Sequence, residues 1–324
     1  MPAPALLADI GGTQARFALT GPGATPTLLD GSLRSYPVER FDTLAAAARQ
    51  YLDEVGAAPR RAVVGLAARI DGDTARMTNH RWVVSAERVR EALGMAAVTL
   101  VNDFVAQARA VPLLRRADVA AVGGPGIAAD DGGDRTFAVA GAGTGLGVGL
   151  LMRRAGRWSA LATEGGHAGF APTSSTEIEI LQQLAADFGR VSNERLVSGA
   201  GLVNLHRAIA RLEGRDPPAA MAPEDITAGA KAGDPLCRRA VDTFRDVFAS
   251  IAGDLVLTFG AWDGIYLSGG LVPPLLGALG DPAFRERFED KGRYATAMAS
   301  VPTIAVLHPQ PGLLGAAALA GDVP

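Results

Sequence analysis

Short apolar runs alternate with helix-period segments along most of the chain, and several runs stop at a glycine or an acid. The first run is Leu6-Leu7-Ala8-Asp9-Ile10; Gly11-Gly12-Thr13 follows, and apolar residues then alternate with others through Leu19. This predicts two strands joined by a tight turn, with glycine supplying the positive φ that other residues adopt only at a steric cost. Phe41–Val55 carries Phe41, Leu44, Ala48, Tyr51, Leu52 and Val55 at helical spacing, with Asp42 and Thr43 placed to cap its start. Arg61–Ala68 holds the continuous apolar core of a strand buried on both faces. Ser85–Leu93 reads as a short helix with Ser85 as N-cap. Val98–Val101 is a second buried strand, ending at Asn102-Asp103, and Phe104–Val111 is a helix that Pro112 disturbs.

The opening pattern then recurs. Thr136–Ala140 leads into Gly141-Ala142-Gly143-Thr144-Gly145-Leu146-Gly147, and a second apolar run, Val148–Met152, follows. Two strand–turn–strand units, each with a threonine among glycines, suggest two related halves facing one cleft. Beyond them lie a Glu164-Gly165-Gly166-His167 loop and a helix near Thr176–Phe188. Further helices are expected near Leu202–Leu212, Pro223–Ala232 and Leu236–Phe259. Ile265–Ser268 is a strand running into Gly269-Gly270; Ala305–Leu307 is a last strand, and Leu313–Ala320 a small-residue helix able to fold back on the first domain. Strands alternating with helices make this an α/β protein with a largely parallel sheet. Ligands gather at the carboxyl ends of such strands, where Asp9 and Asn102-Asp103 stand.

Composition narrows the possibilities. At 324 residues, 48% hydrophobic and 20% charged, the chain suits two globular domains. A net charge of −3 gives no electrostatic footprint for nucleic acid or an anionic membrane surface. No apolar run reaches the ~18–20 residues that span a bilayer, so no membrane association is expected and a cytoplasmic location is the default. Cys237 is the single cysteine, which excludes an intrachain disulfide and a cysteine zinc cluster.

Three glycine turns after strands need a purpose. A Walker A loop requires Gly-Lys-Ser/Thr, and neither lysine, Lys231 or Lys291, stands in that context. A dinucleotide fingerprint fails as well, because the position that needs its last glycine is Leu146. What remains is a pair of hairpins whose N–H groups grip phosphate, with hydroxyls from Thr13 and Thr144. Asp9 adds the hard oxygen that Mg²⁺ prefers. Asp103 is either a helix N-cap or a general base for a hydroxyl undergoing phosphorylation, with Asn102 able to bond a second hydroxyl. Glu164 and His167 flank two glycines, as a surface loop or as partners for sugar hydroxyls. His80, His206 and His308 lack metal spacing and read as structural.

Taken in order, Asp9–Arg16, Thr78-Asn79-His80-x-Trp82, Asn102-Asp103-Phe104, Gly141–Gly147, Glu164–His167, Glu194–Gly199 and Gly269-Gly270 resemble the bacterial glucokinases, relatives of hexokinase, acetate kinase and actin. Lesser matches at Phe170-Ala171-Pro172, Gly201–Ile209, Phe288–Arg293 and Pro311–Ala317 extend the similarity from end to end. The resemblance implies a two-domain actin/hexokinase-like (ribonuclease H-like) fold with a nucleotide cleft between a small domain, 1–112 plus 305–324, and a large one, 113–304. It implies ATP-dependent phosphorylation of glucose at the 6-hydroxyl, with Asp103 as base and Asn102, Asp103, Glu164, His167 and Glu194 on the sugar. The nucleotide would lie on Ala8, Asp9, Ile10, Gly11, Gly12, Thr13, Thr144, Gly145, Gly269 and Gly270, with Asp9 positioning Mg²⁺. A cytoplasmic homodimer is the form the family usually takes.

Two positions depart from the family pattern: Gln14, where asparagine is usual, and Arg69, where proline tends to precede the Gly-Asp turn. They bear on substrate range, leaving open a kinase of the same fold for another hexose or donor. A sugar-sensing regulator on this fold is less favoured. Such regulators carry an N-terminal DNA-binding segment, whereas strand-like sequence begins here within a few residues of Met1.

Overall fold

In the computed structural model, residues 4–77, 80–217 and 220–322 are described. The expected Thr78-Asn79 part of one motif and the extreme N-terminus therefore lie outside the described residues. The chain divides into two compact units. Unit 1 comprises Met1–Arg115, Trp158–Ala162 and His308–Pro324, and unit 2 comprises Arg116–Arg157 and Thr163–Leu307.

Unit 1 begins with β1 (Leu6–Ile10), which turns at Gly11-Gly12-Thr13 into antiparallel β2 (Gln14–Leu19). β3 (Arg34–Pro37) precedes α1 (Leu44–Val55), where Thr43 Oγ1 accepts from Ala46 N at 3.1 Å and ends the coil. β4 (Arg61–Leu66) follows, then a small antiparallel sheet of β5 (Ile70–Asp71), β6 (Thr74–Arg76) and β7 (Val83–Ser85). Ser85 caps α2 (Ala86–Leu93), and β8 (Ala97–Asn102) runs directly into α3 (Asp103–Ala110). The main sheet has the order β3-β2-β1-β4-β8, with β1, β4 and β8 parallel. Their carboxyl ends align, since Asp9 pairs in register with Gly65 and Leu66 with Asn102. β8 is only half-buried at every position, not fully buried as its apolar run predicts, because it forms the outer strand of this sheet.

The two faces of this sheet are covered differently. Leu6, Ala8 and Ile10 share a core with Tyr51, Ala47 and Leu44 of α1. Leu7, on the opposite face by the two-residue period of a strand, packs with Ala18, Val63 and the C-terminal helix. Asp9 falls on that second face.

In unit 2, β9 (Val119–Gly123) precedes β10 (Arg135–Ala142), which turns through Gly143-Thr144-Gly145 into antiparallel β11 (Leu146–Arg154). A turn in which Ala155 is the one described non-glycine with positive φ leads to β12 (Arg157–Thr163), most of which, Trp158–Ala162, belongs to unit 1. Four helices come next: α4 (Ser175–Phe188), α5 (Gly199–Leu212), α6 (Pro223–Ala232) and α7 (Pro235–Phe259). β13 (Gly264–Ser268) leads to α8 (Val272–Leu279), α9 (Pro282–Glu289) and α10 (Ala295–Ala299), three helices that proline-rich and mixed sequence conceals from periodicity. β14 (Thr303–Val306) completes a run of neighbours β11-β10-β13-β14-β9. Its core draws Phe244 and Phe248 of α7 together with Leu202 and Leu205 of α5.

The chain ends with α11 (Pro311–Asp322), which packs against α3 in unit 1. Among the described residues, no helix is long and apolar enough to cross a membrane.

Candidate functional site

In unit 1 the site is built on the aligned strand ends. The turn after β1 is closed by Gly11 N donating to Gln14 O at 2.9 Å, and Thr13 is exposed at its tip. Neither Gly11 nor Gly12 has a positive φ, contrary to the expected reason for glycine here. A β-carbon at Gly11 would make only an ordinary 3.7 Å contact with Gln14 O. The protein itself therefore does not require glycine at this position; an open backbone suits the close approach of a ligand.

Asp9 lies beside this turn with its side chain 19% exposed, and Arg16 Nη1 approaches its Oδ2 at 3.5 Å. Burial pushes the Asp9 carboxyl up, against the pull of the Arg16 guanidinium. Its carboxylate faces the start of α11: a β-carbon on Gly312 would lie 2.8–3.0 Å from Cγ and both oxygens. Ala8 and Ile10 have fully buried side chains, so only their backbone could meet a nucleotide, and Ile10 O already accepts from Ala67 N at 3.0 Å.

At the end of β8, Asn102 is the helix cap. Its Oδ1 accepts from Phe104 N at 2.9 Å, and its Nδ2 donates to Ala68 O at 3.2 Å. Asp103 is the first residue of α3, half-buried, and its Oδ1 shares the Phe104 N–H at 3.1 Å. Gly65 of β4 lies against the start of α3, where a β-carbon would make only ordinary contacts, 3.5 Å from Ala106 Cβ and 3.8 Å from Asp103 Cα.

In unit 2 the other predicted residues converge on the second hairpin turn. Gly143 N donates to Gly145 O at 2.9 Å, and Thr144 is exposed at the tip, as Thr13 is in unit 1. Gly166 sits against the turn so closely that a β-carbon would collide with Leu146 O. On the same short helical turn, His167 Nε2 lies 3.9 Å from Glu164 Oε2, with both side chains more than half exposed. Glu194 Oε2 accepts from Leu146 N at 2.9 Å. Gly269 has φ +95°, a left-handed conformation that suits glycine, and a β-carbon there would strike the backbone of Ala142. Leu271 N then donates to Ala142 O at 3.0 Å, which fastens the Gly269-Gly270 turn to the end of β10.

The remaining histidines are placed otherwise. His80 packs edge-on against Trp82 at 5.2 Å, His206 is buried, and His308 Nδ1 accepts from Gln310 N at 3.1 Å. Among the described residues, no group of three or more His, Cys, Asp or Glu could hold a metal ion unaided.

The family model described as glucokinase matches residues 6–323, nearly the whole chain. The chain belongs to the glucokinase family. A glucokinase of Stenotrophomonas maltophilia is 53% identical over 320 residues, covering 98% of this chain and 95% of the relative. The crystal structure of a glucokinase from an Antarctic psychrotroph superposes with a TM-score of 0.85 at 32% identity, covering 99% of this chain and all of that one. A ROK family glucokinase from Streptomyces griseus, crystallised with glucose and AMPPNP, shares the fold at a TM-score of 0.65 and 19% identity, over 98% of each chain. The actin/hexokinase-like architecture inferred from the motifs is that of these kinases.

Of the two departures from the glucokinase pattern, Gln14 has a visible partner. Its Oε1 accepts from Ser35 Oγ at 3.0 Å, so the longer side chain reaches across to β3. Arg69 is exposed at the end of β4. Sequence reasoning included Gly312 and Gly166 within longer motifs but found no role for either. A glycine one position into a helix or within a loop carries no signal until the neighbouring strand is in place.

Proposed function

We propose that Asp103 is the general base of an ATP-dependent transfer to the 6-hydroxyl of glucose, giving glucose 6-phosphate. The observation that carries this is the position of Asp103 at the start of α3. It stands first in the helix at the mouth of the parallel strands, beside Asn102, whose amide shares the Phe104 N–H with it and ties back to Ala68. As the 6-oxygen bonds to the γ-phosphorus, its proton passes to the Asp103 carboxylate and the bond to the leaving ADP oxygen breaks. Little covalent help is needed beyond this, so most of the catalysis is positioning and charge stabilisation.

The remaining assignments follow the two half-sites. Gly12 and Thr13 in unit 1, with Thr144 and Gly145 in unit 2, offer N–H groups and hydroxyls to phosphate oxygens, while Gly11, whose N–H closes its turn, leaves open backbone for their approach. Gly269-Gly270 serves the adenosine end. Asn102, Asp103, Glu164, His167 and Glu194 bond the sugar hydroxyls. Asp9 fits Mg²⁺: it is a half-buried carboxylate whose nearest cation stands at 3.5 Å, and Mg²⁺ usually takes one or two carboxylates plus substrate phosphates. When bound with ATP the ion would neutralise phosphate charge. A cytoplasmic location and a homodimer rest on the family resemblance.

Replacing Asp103 with Ala is expected to lower kcat by roughly 10²–10⁴-fold, the usual range for losing a general base. A glucose-dependent assay of ADP release measures it. A near-normal kcat would refute the role of Asp103, and equal rates with and without glucose would refute sugar phosphorylation.

A further inference from the structure

Glu194 was singled out for the sugar and Gly145 for phosphate, yet the structure brings the two into direct contact. The segment carrying Glu194 brackets the turn from both sides. Glu194 Oε2 accepts from Leu146 N at 2.9 Å on one side, and Gly199 N donates to Gly143 O at 2.8 Å on the other. That segment is itself fixed, because Ser198 Oγ donates to Glu194 O at 2.8 Å and caps α5 through Gly201 N. Asn193 N donates to Ala168 O at 2.9 Å, which joins it to the end of the Glu164–His167 loop as well. Gly145 completes the contact. It has no positive φ, and a β-carbon there would meet little but the Glu194 carboxylate. Glycine at 145 is thus explained by the space that Glu194 occupies, not by the turn's conformation.

We propose that Glu194 is a two-way positioning residue, holding the phosphate turn Gly143–Leu146 with Oε2 while Oε1 is offered to a sugar hydroxyl. The proposal rests on the sugar-kinase reading of the site and adds a coupling to it. One rigid carboxylate cannot serve both partners independently. A sugar hydroxyl bonded to Oε1 fixes the rotamer that holds the turn, and an ordered turn fixes the carboxylate for the sugar. By linkage the effect is reciprocal in binding free energy. A residue that served only as a sugar ligand would leave nucleotide affinity untouched in the absence of sugar.

The test is titration calorimetry on the full chain, using ADP without glucose and glucose without nucleotide. Four proteins are compared: wild type, Glu194→Ala, Glu194→Gln and Gly145→Ala. Loss of a hydrogen bond to a charged acceptor predicts that Glu194→Ala weakens ADP binding about tenfold with no sugar present. Glu194→Gln keeps an oxygen that can accept from Leu146 N, so ADP affinity returns to within about threefold of wild type. Gly145→Ala pushes the carboxylate aside and weakens glucose binding by at least about fivefold, although the substitution lies in the phosphate turn.

Wild-type ADP affinity in Glu194→Ala, or wild-type glucose affinity in Gly145→Ala, overturns the coupling while leaving the sugar-kinase reading intact. Wild-type protein that binds neither ligand overturns that reading and the coupling with it. Should Glu194→Ala fail to fold, Glu194→Gln and Gly145→Ala still decide the matter.

Discussion

At the scale of single residues, the chemistry of the unit 1 site turns on which of two adjacent side chains does the structural work. Both Asn102 and Asp103 are good N-cap residues, so sequence alone leaves base and cap undivided. In the structure both side chains accept from Phe104 N, and of the two only the Asn102 amide can also donate to Ala68 O. Asn102→Asp should therefore keep the cap and lose the tie, whereas Asn102→Ala loses both. We expect Asn102→Ala to destabilise unit 1 by about 1 kcal/mol, the usual cost of a lost cap, with a smaller loss for Asn102→Asp. Urea unfolding followed by circular dichroism checks the order; an unchanged Asn102→Asp would show that the Ala68 bond contributes nothing, and equal losses that the Asn102 cap contributes nothing.

At the scale of elements, α11 controls two parts of the site at once. Its Gly312 lies under the Asp9 carboxylate, and its Gly315 lies so close to α3 that a β-carbon would run into Ala106 O. Glycine inside a helix costs roughly 1 kcal/mol relative to alanine, and here the close approach of two backbones explains it. Ala106, Ala108 and Ala110 on α3 are correspondingly small, and Arg109 pairs with Asp322 at the far end of α11. Gly315→Ala should destabilise the protein by about 1–3 kcal/mol, the range for overpacking a close contact. Because α3 begins with Asp103, kcat should fall more than KM for glucose rises. Thermal melting with steady-state kinetics tests both, and an unchanged Tm would refute the close-contact account. Glycines and alanines here looked like an undistinguished small-residue helix, since nothing local records which strand or helix they face.

At the scale of the whole molecule, each unit has its own apolar core, and Cys237 reports on the one in unit 2. It is buried beside Asp234, and burial with that hydrogen-bonded neighbour pushes the thiol up to about 11 from an ordinary 9.0. The folded state therefore holds its proton more tightly than the unfolded chain. Stability from this group is full below pH 9 and declines as pH rises towards about 11. Alkylation of native protein at pH 8 should accordingly be slow and accelerate on unfolding; rapid labelling of the native thiol would contradict its burial. Ligand binding supplies the other whole-molecule readout. Glucose at a hundredfold excess over its Kd should add about 2.7 kcal/mol to stability and raise Tm. No shift with glucose would argue against the sugar site.

The sequence by itself determined the α/β class, most strands and the long helices, because hydrophobic period and caps such as Thr43 and Ser85 act within a few residues. It also marked the candidate chemical groups, since the glycine turns and the carboxylates proposed for the site sit in short local motifs. Tertiary structure alone decided the outer position of β8, the existence of α8 to α10 and the pairing of Asp9 with Gly312. It also decided the role of the glycines in the turn this chain opens with. Gly11 is there for open backbone and not for φ, and Gly145 makes room for Glu194. Such contacts join residues tens to hundreds of positions apart, and the local pattern of a chain carries no term for them.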